Sequence, residues 1–138
     1  MLARAGVLAV AGGCLLLAAC GAARTSGEKA AGPTVAVLSP GADGVQAVEV
    51  DVGDNYRFSP SVLDAHVGEI RLTLRHVGNG APHTLYGADV PGMRVPLVRA
   101  GQSQTVQFRA SHPGSYRFVC TIHEAQGEIG QLVVSPSG

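Results

Sequence analysis

From Val45 onward, hydrophobic and polar residues alternate in short runs. The hydrophobic members of these runs are Val48, Val50 and Val52; Ile70, Leu72 and Leu74; Val106 and Phe108; Tyr116, Phe118 and Cys120; and Leu132 and Val134. Alternation with a period of two predicts strands with one buried face, and the Gly, Pro, Asn and Asp residues between runs predict turns. We therefore expect an all-β domain over residues 45–138, an antiparallel sandwich or barrel of seven to eight strands.

The N-terminal segment has a different pattern. Met1–Arg4 supplies a short positive start, and Ala5–Ala19 is apolar and uncharged. This run is shorter than the roughly 20 apolar residues of a membrane span, so residues 1–19 are predicted to be a secretory signal. The run Leu17–Cys20 resembles the lipobox of bacterial lipoproteins. The resemblance implies an exported protein whose Cys20 is acylated and anchors it in the lipid bilayer at the outer face of the cell membrane.

Residues 20–44 are rich in Ala, Gly, Ser and Pro and show little hydrophobic patterning. This composition is typical of a flexible linker. Within it, the apolar and β-branched segment Thr34–Leu38 is compatible with a short strand. We expect the linker to hold the domain at 45–138 away from the membrane.

Length and charge limit the classes of function. The chain has 138 residues, which suffice for one domain and a tail. Its ten basic residues are balanced by ten acidic ones. A balanced chain of this kind lacks the basic surface of a nucleic-acid-binding protein, so we expect no nucleic-acid partner.

The cysteines point to one protected thiol. Cys14 lies in the predicted signal, and Cys20 is the predicted lipidation site, so Cys120 is left as the one thiol of the folded domain. Exported proteins usually pair their cysteines. A single thiol outside the cell is open to oxidation unless burial or a metal protects it.

Two histidines accompany this thiol. Cys120 and His123 lie at the end of a predicted strand and in the loop after it, where their side chains can reach one ion. His83 lies far upstream, and Pro82 before it restricts the backbone of that loop. Two imidazoles and one thiolate are the ligand set of blue-copper electron-transfer sites.

The motifs around these residues resemble those of one family. Cys120–Gly130 is similar to the C-terminal ligand loop of plastocyanins and related cupredoxins, and Asn79–His83 is similar to their upstream histidine loop. The resemblance spans almost the whole predicted domain and implies a cupredoxin-like Greek-key β-sandwich. It also implies one type 1 blue copper ion, with His83, Cys120 and His123 as its three equatorial ligands.

The fourth ligand departs from the family pattern. Plastocyanin-like loops carry an axial Met five residues after the second His, and Glu128 occupies that place here. In a shorter-loop variant of the family the axial ligand would be Gln126, whose side-chain oxygen can bind copper. A third reading leaves the axial position empty, with Glu128 facing solvent. Met93 lies in the wrong part of the chain for this role.

The remaining polar candidates are predicted to be less important. His66, His76 and His112 lie beside Gly or Pro turns or at strand edges and are expected at the surface. Thr84 is expected to hydrogen-bond near Cys120 and to tune its thiolate.

We expect a monomeric one-electron carrier that meets redox partner proteins at the membrane, not an enzyme. Oxygen-reducing copper oxidases need additional His-x-His ligand pairs, and the sequence contains none. The alternative is a copper-binding module without electron-transfer duty, and a carboxylate at Glu128 makes it more plausible than a Met would.

Overall fold

The computed structural model describes residues 32–137, and this part of the chain folds into nine strands. The strands are β1 (Val35–Val37), β2 (Gln46–Val52), β3 (Val62–His66), β4 (Gly68–His76), β5 (His83–Tyr86), β6 (Arg94–Val98), β7 (Ser103–Ala110), β8 (Gly114–Val119) and β9 (Ile129–Ser135). One 3-10 turn at Glu124–Gln126 interrupts them. The all-β prediction is confirmed, with β1 raising the number of strands above the expected seven to eight.

The strands form two sheets. One has six strands in the order β1-β3-β9-β8-β5-β6, and the other has three in the order β2-β4-β7. The expected antiparallel pairing holds for four of the strand pairs, but β1 with β3, β2 with β4 and β3 with β9 run parallel. The reason is the path of the chain. It leaves β2 for β3 in the other sheet and returns to β4, and such crossover connections make sheet neighbours parallel.

The alternating residues fill the space between the sheets, as predicted. Ile70 of β4 lies opposite Phe108 of β7, and both are buried. Phe118 of β8 packs against Phe58 with ring centroids 5.2 Å apart. Gly130 of β9 lies against the Phe118 ring, where a Cβ atom would collide with it. A glycine inside this strand therefore makes room for the largest buried side chain of the core.

The ordered domain begins earlier than Val45, so the linker predicted over 20–44 is too long. Val35–Val37 adds to the six-stranded sheet, as the apolar pattern there allowed, and Leu38 is buried with its N–H bonded to the Asp64 carbonyl at 2.7 Å. The predicted signal over 1–19 and the lipidation site Cys20 lie outside the described residues. Within residues 32–137, no helix is long and apolar enough to cross a bilayer.

Candidate metal centre

Four side chains from one end of the six-stranded sheet converge on a buried point. His83 is the first residue of β5, Cys120 follows β8, and His123 and Glu128 lie between Cys120 and β9. One ligand atom from each, an imidazole nitrogen, the thiol sulfur or a carboxylate oxygen, lies within 4.8 Å of the others. The structure therefore brings together the three predicted ligands and Glu128, one of the two candidates for the fourth.

The segment 120–128, here called the Cys120 loop, is held mainly by its own backbone. The His123 N–H donates to the Cys120 carbonyl at 3.2 Å, and the Cys120 N–H donates to the Glu128 carbonyl at 3.1 Å. Gly127 closes the 3-10 turn with a φ of 85°, a left-handed conformation that glycine adopts without strain. The loop thus folds back so that Glu128 lies beside Cys120.

The ligand atoms of the cluster lie close to one another. His83 Nδ1 lies 2.9 Å from both carboxylate oxygens of Glu128 and 3.3 Å from His123 Nδ1. Cys120 Sγ lies 3.6 Å from His123 Nδ1. Two imidazole nitrogens this close cannot both be protonated without repulsion, whereas one cation can accept all four lone pairs. Two nitrogens and a thiolate suit copper, so the residues present fit the ion that the sequence implied.

Only one of the two candidates for the fourth ligand points into the cluster. Glu128 is completely buried, with 0% of its surface exposed. Gln126 is exposed on the 3-10 turn, and its backbone carbonyl accepts a hydrogen bond from Arg57. The reading of Glu128 as a solvent-facing carboxylate was wrong. Met93 is buried in the core, and its side chain lies against Gly87.

Burial dominates the electrostatics of the site. It raises the pKa of Glu128 to about 7, although a hydrogen bond with Cys120 and the charge of Arg57 act to lower it. It also lowers the pKa of His83 to about 4, and the charges that neighbouring imidazoles would carry add to this effect. The pocket thus favours neutral side chains, and a bound cation would compensate an ionised Glu128.

Thr84 hydrogen-bonds to Cys120, as the sequence led us to expect. Its backbone N–H donates to Cys120 Sγ at 3.4 Å, and its hydroxyl lies 3.7 Å from the same sulfur. The hydroxyl also accepts the backbone N–H of Thr121 at 2.9 Å. Hydrogen bonds to a thiolate fix its position and withdraw electron density from it.

His76 was predicted at the surface, and this prediction was wrong. It is 3% exposed, and its ring lies 4.9 Å from that of His83, centroid to centroid. The neighbouring Gly78 suggested a turn at the surface, but the alternation Ile70, Leu72, Leu74 continues to position 76. That continuation was the signal for an inward-facing side chain. His66 and His112 are exposed, as expected.

The connection between β2 and β3, residues 53–61, contributes three residues that sequence reasoning missed. The Tyr56 ring lies 4.6 Å from the His123 ring, centroid to centroid. Arg57 donates to the Gln126 carbonyl at 2.7 Å. Asp54 accepts the backbone N–H of Gly80 at 2.8 Å. These contacts join positions far apart in the chain, and no local motif indicates them.

The chain is similar to one known family and to solved structures of copper proteins. The family model described as "Cupredoxin-like domain" matches residues 13–134. A reduced auracyanin of the photosynthetic bacterium Roseiflexus castenholzii is similar in structure, with a TM-score of 0.57 at 22% identity, over 72% of this chain and 99% of that one.

Two other similar structures belong to larger proteins. The metal-binding domain of a Cu(I)-exporting P-type ATPase of Streptococcus pneumoniae has a TM-score of 0.61 at 14% identity, over 73% of this chain and 95% of that one. A copper-containing nitrite reductase of Thermus scotoductus has a TM-score of 0.56 at 21% identity, over 67% of this chain and only 28% of that one. At these identities the likeness shows the fold alone.

Proposed function

The chain belongs to the family of cupredoxin-like domains, and on that premise we propose that it is a mononuclear copper protein that carries single electrons. The observation that carries this proposal is the buried convergence of His83, Cys120, His123 and Glu128 within 4.8 Å. In this reading His83, Cys120 and His123 hold the copper, and Glu128 is its fourth ligand.

When bound, copper would supply a one-electron couple, Cu(I)/Cu(II), and the protein would supply a fixed set of ligands. The backbone bonds of the Cys120 loop, and the Thr84 bonds to the sulfur, restrict the movement of Cys120 and His123 when the charge of the copper changes. A small rearrangement favours fast electron transfer. Of the two histidines, His123 is 7% exposed and His83 is 0% exposed, so electrons would pass through His123.

The surface around His123 suits brief encounters with a redox partner. Ile122 beside it is 49% exposed, and Tyr56 partly covers its ring. A small contact surface is typical of transient redox complexes. We propose that the partners are redox proteins at the membrane, and that the chain acts as a monomer.

Glu128 gives the proposed site a distinct character. A carboxylate is a hard anion and stabilises Cu(II) more than Cu(I), so it lowers the reduction potential relative to a neutral ligand. Its buried position and its contacts with His83 Nδ1 and, at 3.2 Å, His123 Nδ1 support a role as ligand.

A copper-binding module without redox duty is the second candidate, and the buried Glu128 favours it more than a thioether would. An enzymatic role has less support. Within residues 32–137, His83, Cys120, His123 and Glu128 form the one group of His, Cys, Asp and Glu side chains arranged for a metal. We therefore propose that the protein is not an enzyme.

The cellular location is proposed from the sequence. The predicted signal over 1–19 and the lipobox-like run ending at Cys20 support export and lipid anchoring at the outer face of the bacterial cell membrane. Labelling of the wild type and of Cys20→Ser with a radioactive fatty acid would test this. We expect label on the wild type and none on the variant. An unlabelled wild type would contradict the anchor.

Voltammetry of the copper-loaded protein tests the function itself. We expect one reversible one-electron wave and rapid electron exchange between the oxidised and reduced forms. Stoichiometric copper binding without a reversible wave would reject the electron carrier and support the copper-binding module. Turnover of nitrite or O₂ with an electron donor would contradict a non-enzymatic role.

A further inference from the structure

His76 is a buried imidazole that the proposed copper site does not use as a ligand. It ends β4, and the segment 77–82, here called the His83 loop, runs from it to His83. Its Nδ1 accepts the backbone N–H of Gly78 at 3.1 Å. That acceptor role leaves the proton on Nε2, which donates to the Ala81 carbonyl at 2.9 Å. One neutral ring therefore ties both ends of the loop together.

The opposite side of the His83 loop is held by Asp54. Its carboxylate accepts the backbone N–H of Gly80 at 2.8 Å and that of Asn79 at 3.3 Å. A Cβ atom on Gly78 would collide with this carboxylate, and one on Gly80 would lie 2.7 Å from it. The loop thus has little freedom between the Asp54 carboxylate and the His76 ring.

The His83 side chain lacks the hydrogen bond that usually orients a metal-binding histidine. Such histidines donate their second ring N–H to a carbonyl or carboxylate. His83 Nε2 is buried without a partner among the described residues. The Ala81 carbonyl in the same loop is bonded to His76 instead. What His83 does have is the His76 ring, packed against it at 4.9 Å between centroids with a 55° tilt.

We propose that His76 is a positioning residue for His83. It fixes the His83 loop through its two hydrogen bonds and fixes the His83 ring by packing against it, in place of a hydrogen bond to Nε2. The inference rests on the proposed copper site, but the rigidity of the loop can be measured without any metal.

The metal-free test is hydrogen exchange of backbone amides in three variants. His76→Leu keeps a similar volume and removes both hydrogen bonds. His76→Gln retains a donor for the Ala81 carbonyl. His112→Leu replaces an exposed histidine and is the control. Because a net hydrogen bond is worth about a factor of ten in local opening, we expect exchange of Gly78 and Gly80 to rise roughly tenfold in His76→Leu.

In the Cys120 loop, exchange of Gln126 and Gly127 should stay unchanged, and His76→Gln should restore part of the protection at Gly80. Equally faster exchange at Gly80 and Gly127, or no faster exchange at Gly80, would contradict the proposal that His76 fixes the His83 loop. The first result would mean that His76 contributes only to global stability.

The second test uses Cu(II). If His76 positions His83, His76→Leu should change the copper hyperfine splitting and release copper several-fold faster, while His112→Leu matches the wild type. A lower melting temperature with an unchanged copper spectrum would overturn the positioning role. If the wild type itself binds no copper, the proposed function fails. Hydrogen exchange alone then decides whether His76 fixes the His83 loop.

Discussion

The Cys120 loop and the His83 loop meet at the same buried cluster, but different parts of the chain hold them. In the Cys120 loop, backbone bonds such as that from the Gln126 N–H to the His123 carbonyl, at 3.0 Å, join residues a few positions apart. In the His83 loop the Val77 N–H is bonded to the Val52 carbonyl, and the bonds of the residues after Val77 involve two side chains. One is the adjacent His76, and the other is Asp54, which precedes Gly80 by 26 residues.

One loop is therefore held in its conformation by local contacts, and the other by tertiary contacts. A loop closed by its own backbone depends on spacing and on one glycine in a left-handed conformation. A loop closed by side chains depends on residues that only the fold brings near. Changes in the Cys120 loop should therefore alter the ligands of the copper directly. Changes around the His83 loop should alter the stability of the protein and the position of the His83 ring.

The largest effect is expected from Cys120→Ser, which removes the one thiol of the cluster. A serine hydroxyl is a poor ligand for copper at neutral pH, so the intense thiolate-to-copper absorption should disappear. Visible absorption after titration with Cu(II) measures this, and Ser115→Ala in β8 is an exposed control. A variant that kept the full band would show that another group produces it.

Glu128→Gln should change the redox equilibrium while keeping a similar volume. A neutral amide stabilises Cu(II) less than a carboxylate does, so the reduction potential should rise. Each tenfold loss of Cu(II) affinity relative to Cu(I) raises a one-electron potential by about 59 mV, and we expect at least one such step.

Gln126→Glu is the matched control in the same loop, because Gln126 is exposed outside the cluster. Its potential should differ little from that of the wild type. If voltammetry found Glu128→Gln unchanged and Gln126→Glu shifted, the assignment of the fourth ligand would be reversed.

Gly78→Ala tests whether the Asp54 carboxylate restricts the His83 loop. The new Cβ would collide with the Asp54 carboxylate and lie 2.9 Å from the Asp54 backbone nitrogen, and such overpacking costs about 1–3 kcal/mol. Thermal or urea unfolding of the metal-free protein measures the loss. In the double variant with Asp54→Ala, part of the loss should be recovered, because the carboxylate is gone. Strictly additive losses would contradict the clash.

The smallest effect concerns the pH dependence of Asp54. Hydrogen bonds from the Gly80 and Asn79 N–H groups hold the pKa of Asp54 below its ordinary value of 3.8. A lowered folded-state pKa contributes stability above the unfolded-state value, and this contribution is lost as the pH falls through the folded-state value.

Asp54→Asn should therefore lose a small part of the stability that the wild type has at neutral pH, and the difference between the two proteins should shrink below pH 3.8. Denaturant unfolding at several pH values measures this, with Asp89→Asn, an exposed turn residue, as the control. A difference that persisted unchanged at low pH would mean that the carboxylate charge is not involved.

The contrast between local and tertiary contacts also explains which features could be predicted from the sequence. The alternation in β4, β7 and β9 predicted buried faces such as that of Leu132. The spacing of Cys120 and His123 predicted that their side chains reach one ion, and the resemblance to the plastocyanin ligand loop made Glu128 a candidate for the fourth ligand. The parallel pairs could not be read, because they depend on which sheet each strand joins. Tyr56 and Arg57 act on the Cys120 loop across the fold, so no periodicity or motif indicates them.

X-ray absorption at the copper edge, recorded for the oxidised and reduced protein, tests the central claim most directly, because it counts the ligand types around the metal. The account predicts one sulfur from Cys120, two imidazole nitrogens and one further light atom in the Cu(II) form, with little change in the distances to sulfur and nitrogen on reduction. The light atom should move away in the Cu(I) form, since a carboxylate prefers Cu(II). A copper ion without a sulfur ligand, or one whose whole ligand set is replaced on reduction, would contradict a site built from His83, Cys120, His123 and Glu128 for electron transfer.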